Sequence, residues 1–248
     1  MGLIALVYSV VVYVVFFASF LYLVGFVGGE MTSWAGLPKT LDSGAGYFTG
    51  APAALINIGL LLLFGVQHSV MARGGFKRTW TKIVPPAMER STYVLATVVV
   101  LVVLFLGWQP MPAVIWSVSS PLWSGVLMAL FLIGFGLVLL STFLINHFEL
   151  FGLMQGWFKF KSKAAIEPKF VTPMLYKYVR HPLYLGFLIA FWSTSHMTAG
   201  HLLFAAIWTA YIFIAIGYEE RDMVALFGEK YRDYMAKVPS IIPFGARK

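Results

Sequence analysis

Two adjacent carboxylates, Glu219 and Glu220, close an apolar stretch that opens at Arg180-His181-Pro182-Leu183-Tyr184-Leu185-Gly186. Between those ends, residues 183–218 carry no Asp, Glu, Lys or Arg. A chain that doubles back within this stretch returns the carboxylates to the end where Arg180 and His181 began. Ionisable groups at the edge of a membrane segment are costly unless paired and mark functional positions. Pro182 favours an extended conformation at His181 and starts a helix well. Tyr178, Arg180 and His181 therefore lie just before a helix N-terminus, with Tyr184 and Gly186 in its first turns. The unpaired N–H groups and positive dipole end of such a terminus suit a carboxylate or a hydroxyl, and two carboxylates beside it suit an ammonium and the ribose hydroxyls of a polar cofactor. The plainer alternative makes Arg180 and His181 an interfacial anchor and Tyr184 part of an aromatic belt, with Arg180 or Arg221 neutralising one carboxylate.

Other polar positions sit at the ends of apolar runs. Asn146-His147-Phe148-Glu149 is followed by Gln155; these polar side chains are either ordinary interfacial caps or, with Glu149 orienting His147, part of an active-site lining. His68, in Gln67-His68-Ser69, is expected to bond a helix carbonyl, and His196 and His201 to be solvated at the far turn of the 183–217 stretch. Asp42 lies in a Gly/Pro-containing loop over 29–52. No His/Asp/Glu spacing matches a tight metal site, and the absence of cysteine removes disulfides, thiolate nucleophiles and Cys-ligated metals. No metal is expected.

The elements that must position these groups are membrane helices. Of 248 residues 60% are hydrophobic and 11% charged, against about 25% charged in an ordinary soluble domain. Residues 1–29 lack any charged side chain, and about 20 apolar residues suffice to span. With no basic stretch before it, this segment reads as a retained first helix and not a cleaved signal. Further apolar stretches follow at 52–71, 91–108, 121–146 and 183–217. The last has room for two arms of roughly 16 residues around Met197-Thr198-Ala199-Gly200, a hairpin that crosses fully or in part. The reading is an all-α integral membrane protein, with four spanning helices, that C-terminal hairpin and a short cytoplasmic C-terminal helix. It forms a single membrane domain over 1–248, divided into a four-helix part, 1–147, and a hairpin and tail, 148–248. Arg73, Lys77, Arg78, Lys82 and Arg90, then Lys159, Lys161, Lys163, Lys169, Lys177 and Arg180, and six more in the tail, fall on one side; of the 18 basic residues only Lys39 falls on the other. Positive residues mark cytoplasmic loops, so both termini are expected there, in a bacterial inner membrane. The net charge of +8 then reports topology and attraction to membrane lipid, not nucleic acid, and no protein partner is evident.

The order Arg-His-Pro-x-Tyr-x-Gly, apolar hairpin, Glu-Glu, then Phe227-Gly228-x-x-Tyr231-x-x-Tyr234-x-x-x-Val238-Pro239 resembles the isoprenylcysteine carboxyl methyltransferase family of integral-membrane, S-adenosylmethionine-dependent enzymes. It is also similar to the nurim-type and nitrite/nitric-oxide-reductase accessory membrane proteins. The match covers residues 176–244 and implies that His181, Pro182, Tyr184, Gly186, Glu219 and Glu220 line an S-adenosylmethionine site; Tyr178, Arg180 and Gln155 are added to it as cofactor-binding candidates. Upstream, Leu37-Pro38-Lys39-Thr40-Leu41-Asp42-Ser43-Gly44, Gln67 to Arg73 with Glu89 to Tyr93, and Asn146 to Gln155 look like the bacterial methanethiol S-methyltransferases. That likeness implies methylation of a small thiol, methanethiol, to dimethyl sulfide. His147 and Asp42 are then the candidate proton acceptors, Asp42 only if its periplasmic loop folds inward. The rival readings are a methyltransferase for a lipid or prenylated cysteine, and a non-enzymatic nurim-like membrane protein.

Overall fold

The computed structural model describes residues 1–164, 169–243 and 245. In chain order its helices are α1 (Gly2–Gly28), a 3-10 turn (Gly29–Ala35), α2 (Gly50–Ala72), α3 (Gly74–Trp80), α4 (Pro86–Gly107), α5 (Pro121–Ile145), α6 (His147–Leu150), α7 (Leu153–Phe160), α8 (Pro182–Trp192), α9 (Ala199–Phe227) and α10 (Glu229–Lys237). Five segments are long and apolar enough to cross a membrane: Gly2–Ala35, Gly50–Ala72, Pro86–Gly107, Pro121–Ile145 and Ala199–Phe227. The chain is a multi-pass, all-α membrane protein. Two compact units divide it, the first comprising Met1–Ile115, Asn146–Glu167 and Thr198–Leu203, the second Trp116–Ile145, Pro168–Met197 and Phe204–Lys248.

In the first unit α1, α2 and α4 run antiparallel in sequence. Asn57 near the start of α2 exchanges hydrogen bonds with the Gln109 backbone just past α4 (2.8 Å each), while His68 near the end of α2 meets Tyr93 near the start of α4. The start of α1 joins that same end: Ser91 Oγ donates to Ser9 Oγ at 3.0 Å and the Tyr8 and Thr92 hydroxyls lie 3.0 Å apart. Across it lies α7, whose Gly156 touches α1 so closely that a Cβ would fall 2.9 Å from Ala5 O and 2.6 Å from Ser9 Oγ. The loop after α2 and the segment around α7, the two basic stretches upstream of residue 164, are thus brought to one end of this unit. At the other end Lys39 is buried and donates from Nζ to Leu106 O at 2.7 Å, a cation set against the C-terminal carbonyls of α4 where the helix dipole favours it. Burial lowers its pKa from the usual lysine value.

The second unit is organised on α5 and α8. Gly134 and Gly186 sit backbone to backbone, where a Cβ on either would come within 2.7 Å of the other's carbonyl oxygen; small residues permit such approach between membrane helices. Phe135 completes the contact edge-to-face with Phe187 and Phe191, at 6.2 and 6.4 Å.

The hairpin departs from the expected equal arms. α8 has 11 residues, about 16 Å at 1.5 Å per residue, half of the roughly 30 Å hydrocarbon core. α9 has 29 residues, about 43 Å. The short arm stops where Ser193 and Thr194 take the chain out of the helix, Thr194 Oγ1 accepting from His196 N and donating to His196 O. The long arm meets no breaker until Gly228, at φ +59°, so Glu219 and Glu220 lie inside α9, about two turns before its end, and not at its terminus.

Candidate functional site

In the second unit, the backbone N–H groups of Arg180 and His181 donate to Pro239 O (2.9 Å) and Ser240 O (3.0 Å). The Val238-Pro239-Ser240 run of the motif is therefore the extended partner of the residues before α8. The last residue covered by the resemblance, Phe244, lies outside the described residues. The Arg180 guanidinium reinforces this seam. Nε and Nη2 donate to Glu220 Oε1 at 2.9 and 2.6 Å, and Nη1 donates to Met235 O at 3.1 Å and to Val238 O. His181 Nε2 lies 3.2 Å from the same carboxylate oxygen. The Arg180, His181 and Glu220 side chains are 1, 3 and 4% exposed. A buried guanidinium is tolerated only when neutralised and hydrogen-bonded; Glu220 supplies the charge and the tail carbonyls the remaining acceptors.

Glu219 is different. Successive helical side chains diverge by about 100°, and the Glu219 side chain is 48% exposed with Oε2 3.8 Å from His181 Nδ1. It faces the entrance of α8, whose first turn has no side-chain cap. Pro182 is buried at that first turn, Tyr184 lies beside His181 with ring centroids 5.6 Å apart, and Tyr178 is exposed. Tyr184 also packs on Ile212, Ile216 and Ile241, and Gly186 is committed to the α5 contact. Behind this group Phe170, Tyr231 and Tyr234 form an aromatic cluster with centroids 5.4–5.8 Å apart. Tyr234 donates to Tyr176 O at 2.5 Å. Burial pushes the Tyr234 hydroxyl up to about 12 and raises Tyr176 and Tyr231 as well, with Glu219 adding to both.

In the first unit His147 is buried at 2% exposure. Its Nε2 lies 2.8 Å from the Tyr13 hydroxyl, and its ring packs edge-on against Tyr13 and Phe151. Glu149 does not orient it. That carboxylate accepts from Asn146 Nδ2 at 2.7 Å, and Asn146 Oδ1 in turn caps the Glu149 N–H, because Asn146 is the N-cap of α6. Burial lowers the His147 pKa below the usual imidazole value, leaving a neutral ring at pH 7. Gln155 donates to Glu149 O at 3.1 Å, while its buried Oε1 has no hydrogen-bond donor among the described residues. Asp42 lies elsewhere. Its Oδ1 accepts from Thr198 Oγ1 at 2.6 Å, and its Oδ2 sits where a Cβ on Gly29 would be, 1.9 Å away. Gly29 ends α1 and Tyr13 lies midway along it, about 24 Å apart at 1.5 Å per residue. The two expected proton acceptors are therefore not brought together.

Two further positions differ from expectation. His68 bonds the Tyr93 hydroxyl, with its ring nitrogens 2.9 and 3.0 Å away, and not a helix carbonyl. His201 is fully buried in the first turn of α9, its N–H donating to Thr198 Oγ1 at 3.1 Å, and is not solvated as expected, whereas His196 is part exposed. Tyr13, the partner of His147, carries no signal in a helix whose other residues are almost all apolar.

The NnrU protein family matches residues 56–230. Methanethiol S-methyltransferase 1 of Bradyrhizobium diazoefficiens is 51% identical over 241 residues, 97% of this chain and 82% of that protein. Methanethiol S-methyltransferase of Mycobacterium tuberculosis is 48% identical over 98% of this chain and 97% of its own. Nurim of Xenopus laevis is 31% identical over 73% of this chain and 66% of its own. No solved structure matches.

Proposed function

Because the chain belongs to the NnrU protein family, with methanethiol S-methyltransferases among its relatives, we propose that it methylates methanethiol to dimethyl sulfide within the membrane, with S-adenosylmethionine as methyl donor. The observation that carries this reading is the identity of 46–52% to several methanethiol S-methyltransferases, over 84–98% of this chain. The donor set of the second unit fits such a cofactor: Glu219 offers a half-exposed carboxylate to an ammonium or ribose hydroxyl, and the uncapped start of α8 suits the opposite charge. When bound, S-adenosylmethionine supplies an electrophilic methyl group on a positively charged sulfur.

The residues of the chain then have separable tasks. Glu219 binds, with Tyr178, Tyr184 and Pro182 beside it. The Arg180–Glu220–His181 clasp holds the start of α8 against Val238-Pro239-Ser240 and so fixes the direction of that helix end. Because both sulfurs would end neutral once the thiol proton is lost, a water-poor apolar surround would favour methyl transfer. His147, neutral at pH 7, is the group suited to receive that proton, with Tyr13 fixing its ring. Both termini face the cytoplasm of a bacterial inner membrane in this account, consistent with the two basic stretches meeting at one end of the first unit.

A ladder of acceptors tests the reading. Purified protein is given S-adenosylmethionine with methanethiol, ethanethiol and butanethiol, and separately with a prenyl-cysteine and a phospholipid, and volatile and non-volatile products are quantified. The one- and two-carbon thiols are methylated, with rate falling as the chain lengthens. Faster methylation of the prenyl-cysteine or phospholipid overturns the proposal.

A further inference from the structure

At the end of the first unit where α1 begins, two short helices lie on the surface. α3 has no buried residue, and around it residues 72–88 carry Arg73, Lys77, Arg78 and Lys82, with Glu89 next in the chain and its charge acting on Lys77. α7 buries Gly156 against α1 and leaves Trp157 and Phe160 exposed, at 43 and 40%. Lys159, Lys161 and Lys163 follow, without an acid over 150–163. The rings and cations are interleaved: Lys161 Nζ stands 5.0 Å from the Trp157 ring and 5.3 Å from Phe160, and Lys163 Nζ 5.7 Å from Phe158. In α3, Phe76 and Trp80 stack at 5.6 Å.

This surface sits where α1, α2 and α4 end or begin, so it lies at headgroup depth when those helices span, the level at which Trp and Lys anchors collect. An amphipathic helix with aromatic residues on one side and lysines beside them lies in the interface plane, and its basic residues attract anionic lipid. Lys159, Lys161 and Lys163, with no acid over 150–163, call for a negatively charged occupant, and the position at the ends of three spans makes that occupant a lipid already in the bilayer. We propose that α3 and α7 form a binding surface for the headgroup phosphates of anionic phospholipids, with Lys159, Lys161 and Lys163 taking the phosphate and Trp157 and Phe160 seated at the acyl boundary. The inference does not depend on the enzyme's substrate.

The full chain is reconstituted in nanodiscs of phosphatidylcholine and phosphatidylglycerol, with bromine on the acyl chains of one lipid or the other, and quenching of tryptophan fluorescence gives the relative affinity for the two. The wild-type protein favours phosphatidylglycerol, and raising the salt weakens the preference. Each lysine near an anionic surface contributes roughly fivefold, so the triple variant Lys159→Gln, Lys161→Gln, Lys163→Gln lowers the preference at least about fivefold. The triple Lys→Arg variant keeps charge and preference, which separates loss of charge from loss of fold. Equal quenching by the two lipids in the wild type, as an acidic protein partner for this surface would leave it, overturns the proposal. So does a preference that survives removal of all three lysines.

Discussion

Replacing Glu220 and Glu219 singly by Gln separates two jobs that adjacent carboxylates conceal. Glu220→Gln keeps the shape but removes the charge that two Arg180 nitrogens contact at 2.6 and 2.9 Å, leaving a guanidinium with 4% residue exposure uncompensated. Breaking a buried pair by neutralising one partner costs about 3–5 kcal/mol. At roughly 2–4 °C per kcal/mol for a chain of this size, melting falls by on the order of 10 °C. Glu219→Gln alters a half-exposed side chain whose contact with His181 Nδ1 is long, at 3.8 Å, and leaves melting within about 1 kcal/mol of wild type. Its effect falls on the cofactor. A charge-assisted hydrogen bond left unmade costs about 1.5–3 kcal/mol, so S-adenosylmethionine binds roughly ten- to hundredfold more weakly. Differential scanning fluorimetry in detergent reads the first quantity and titration calorimetry the second. The reverse pattern, a stable Glu220→Gln and a Glu219→Gln of unchanged affinity, would refute the assignment of clasp to one carboxylate and ligand to the other.

His147→Ala is expected to slow product formation more than it weakens cofactor binding. In the wild type the lowered pKa of this ring means that the unfolded chain binds a proton the native protein does not, so stability at this site declines as pH falls through about 6.5; full turnover in the variant would remove His147 from proton transfer. Gly186→Ala places a Cβ 2.7 Å from Gly134 O, an overpacking that costs about 1–3 kcal/mol, and unchanged melting would show that α5 and α8 part without penalty. Reporter fusions at Lys163 and at the C-terminus should both report the cytoplasmic face; opposite faces would contradict the orientation drawn from the basic residues.

Much of the membrane architecture was legible because long uncharged runs have few other fates. The unequal hairpin was not. Nothing in the 183–217 run tells a helix to stop at Trp192, since the stop comes from side-chain bonds at Thr194 and the continuation to Phe227 from the absence of a breaker. The clustering of Arg180, His181 and the two carboxylates could be read from the hairpin alone. Which carboxylate is buried could not, because that depends on the tail at Met235 and Val238 closing over Arg180. The partners of His147 and Asp42 were hidden for a related reason: Tyr13 and Thr198 lie 134 and 156 residues away in the chain. A local motif does not encode such pairings. Glu149, which a local reading favoured as the partner of His147, is drawn instead to the cap made by Asn146 three residues before it.

The most direct test of the central claim is isotopic. Purified protein in nanodiscs receives S-adenosylmethionine carrying a trideuterated methyl group, together with unlabelled methanethiol, and the headspace is analysed by gas chromatography with mass detection. Dimethyl sulfide with one deuterated and one ordinary methyl group is expected, formed in proportion to the S-adenosylhomocysteine released and reduced by Glu219→Gln at limiting cofactor. Absence of labelled dimethyl sulfide, under conditions where calorimetry shows the cofactor bound, would contradict that claim.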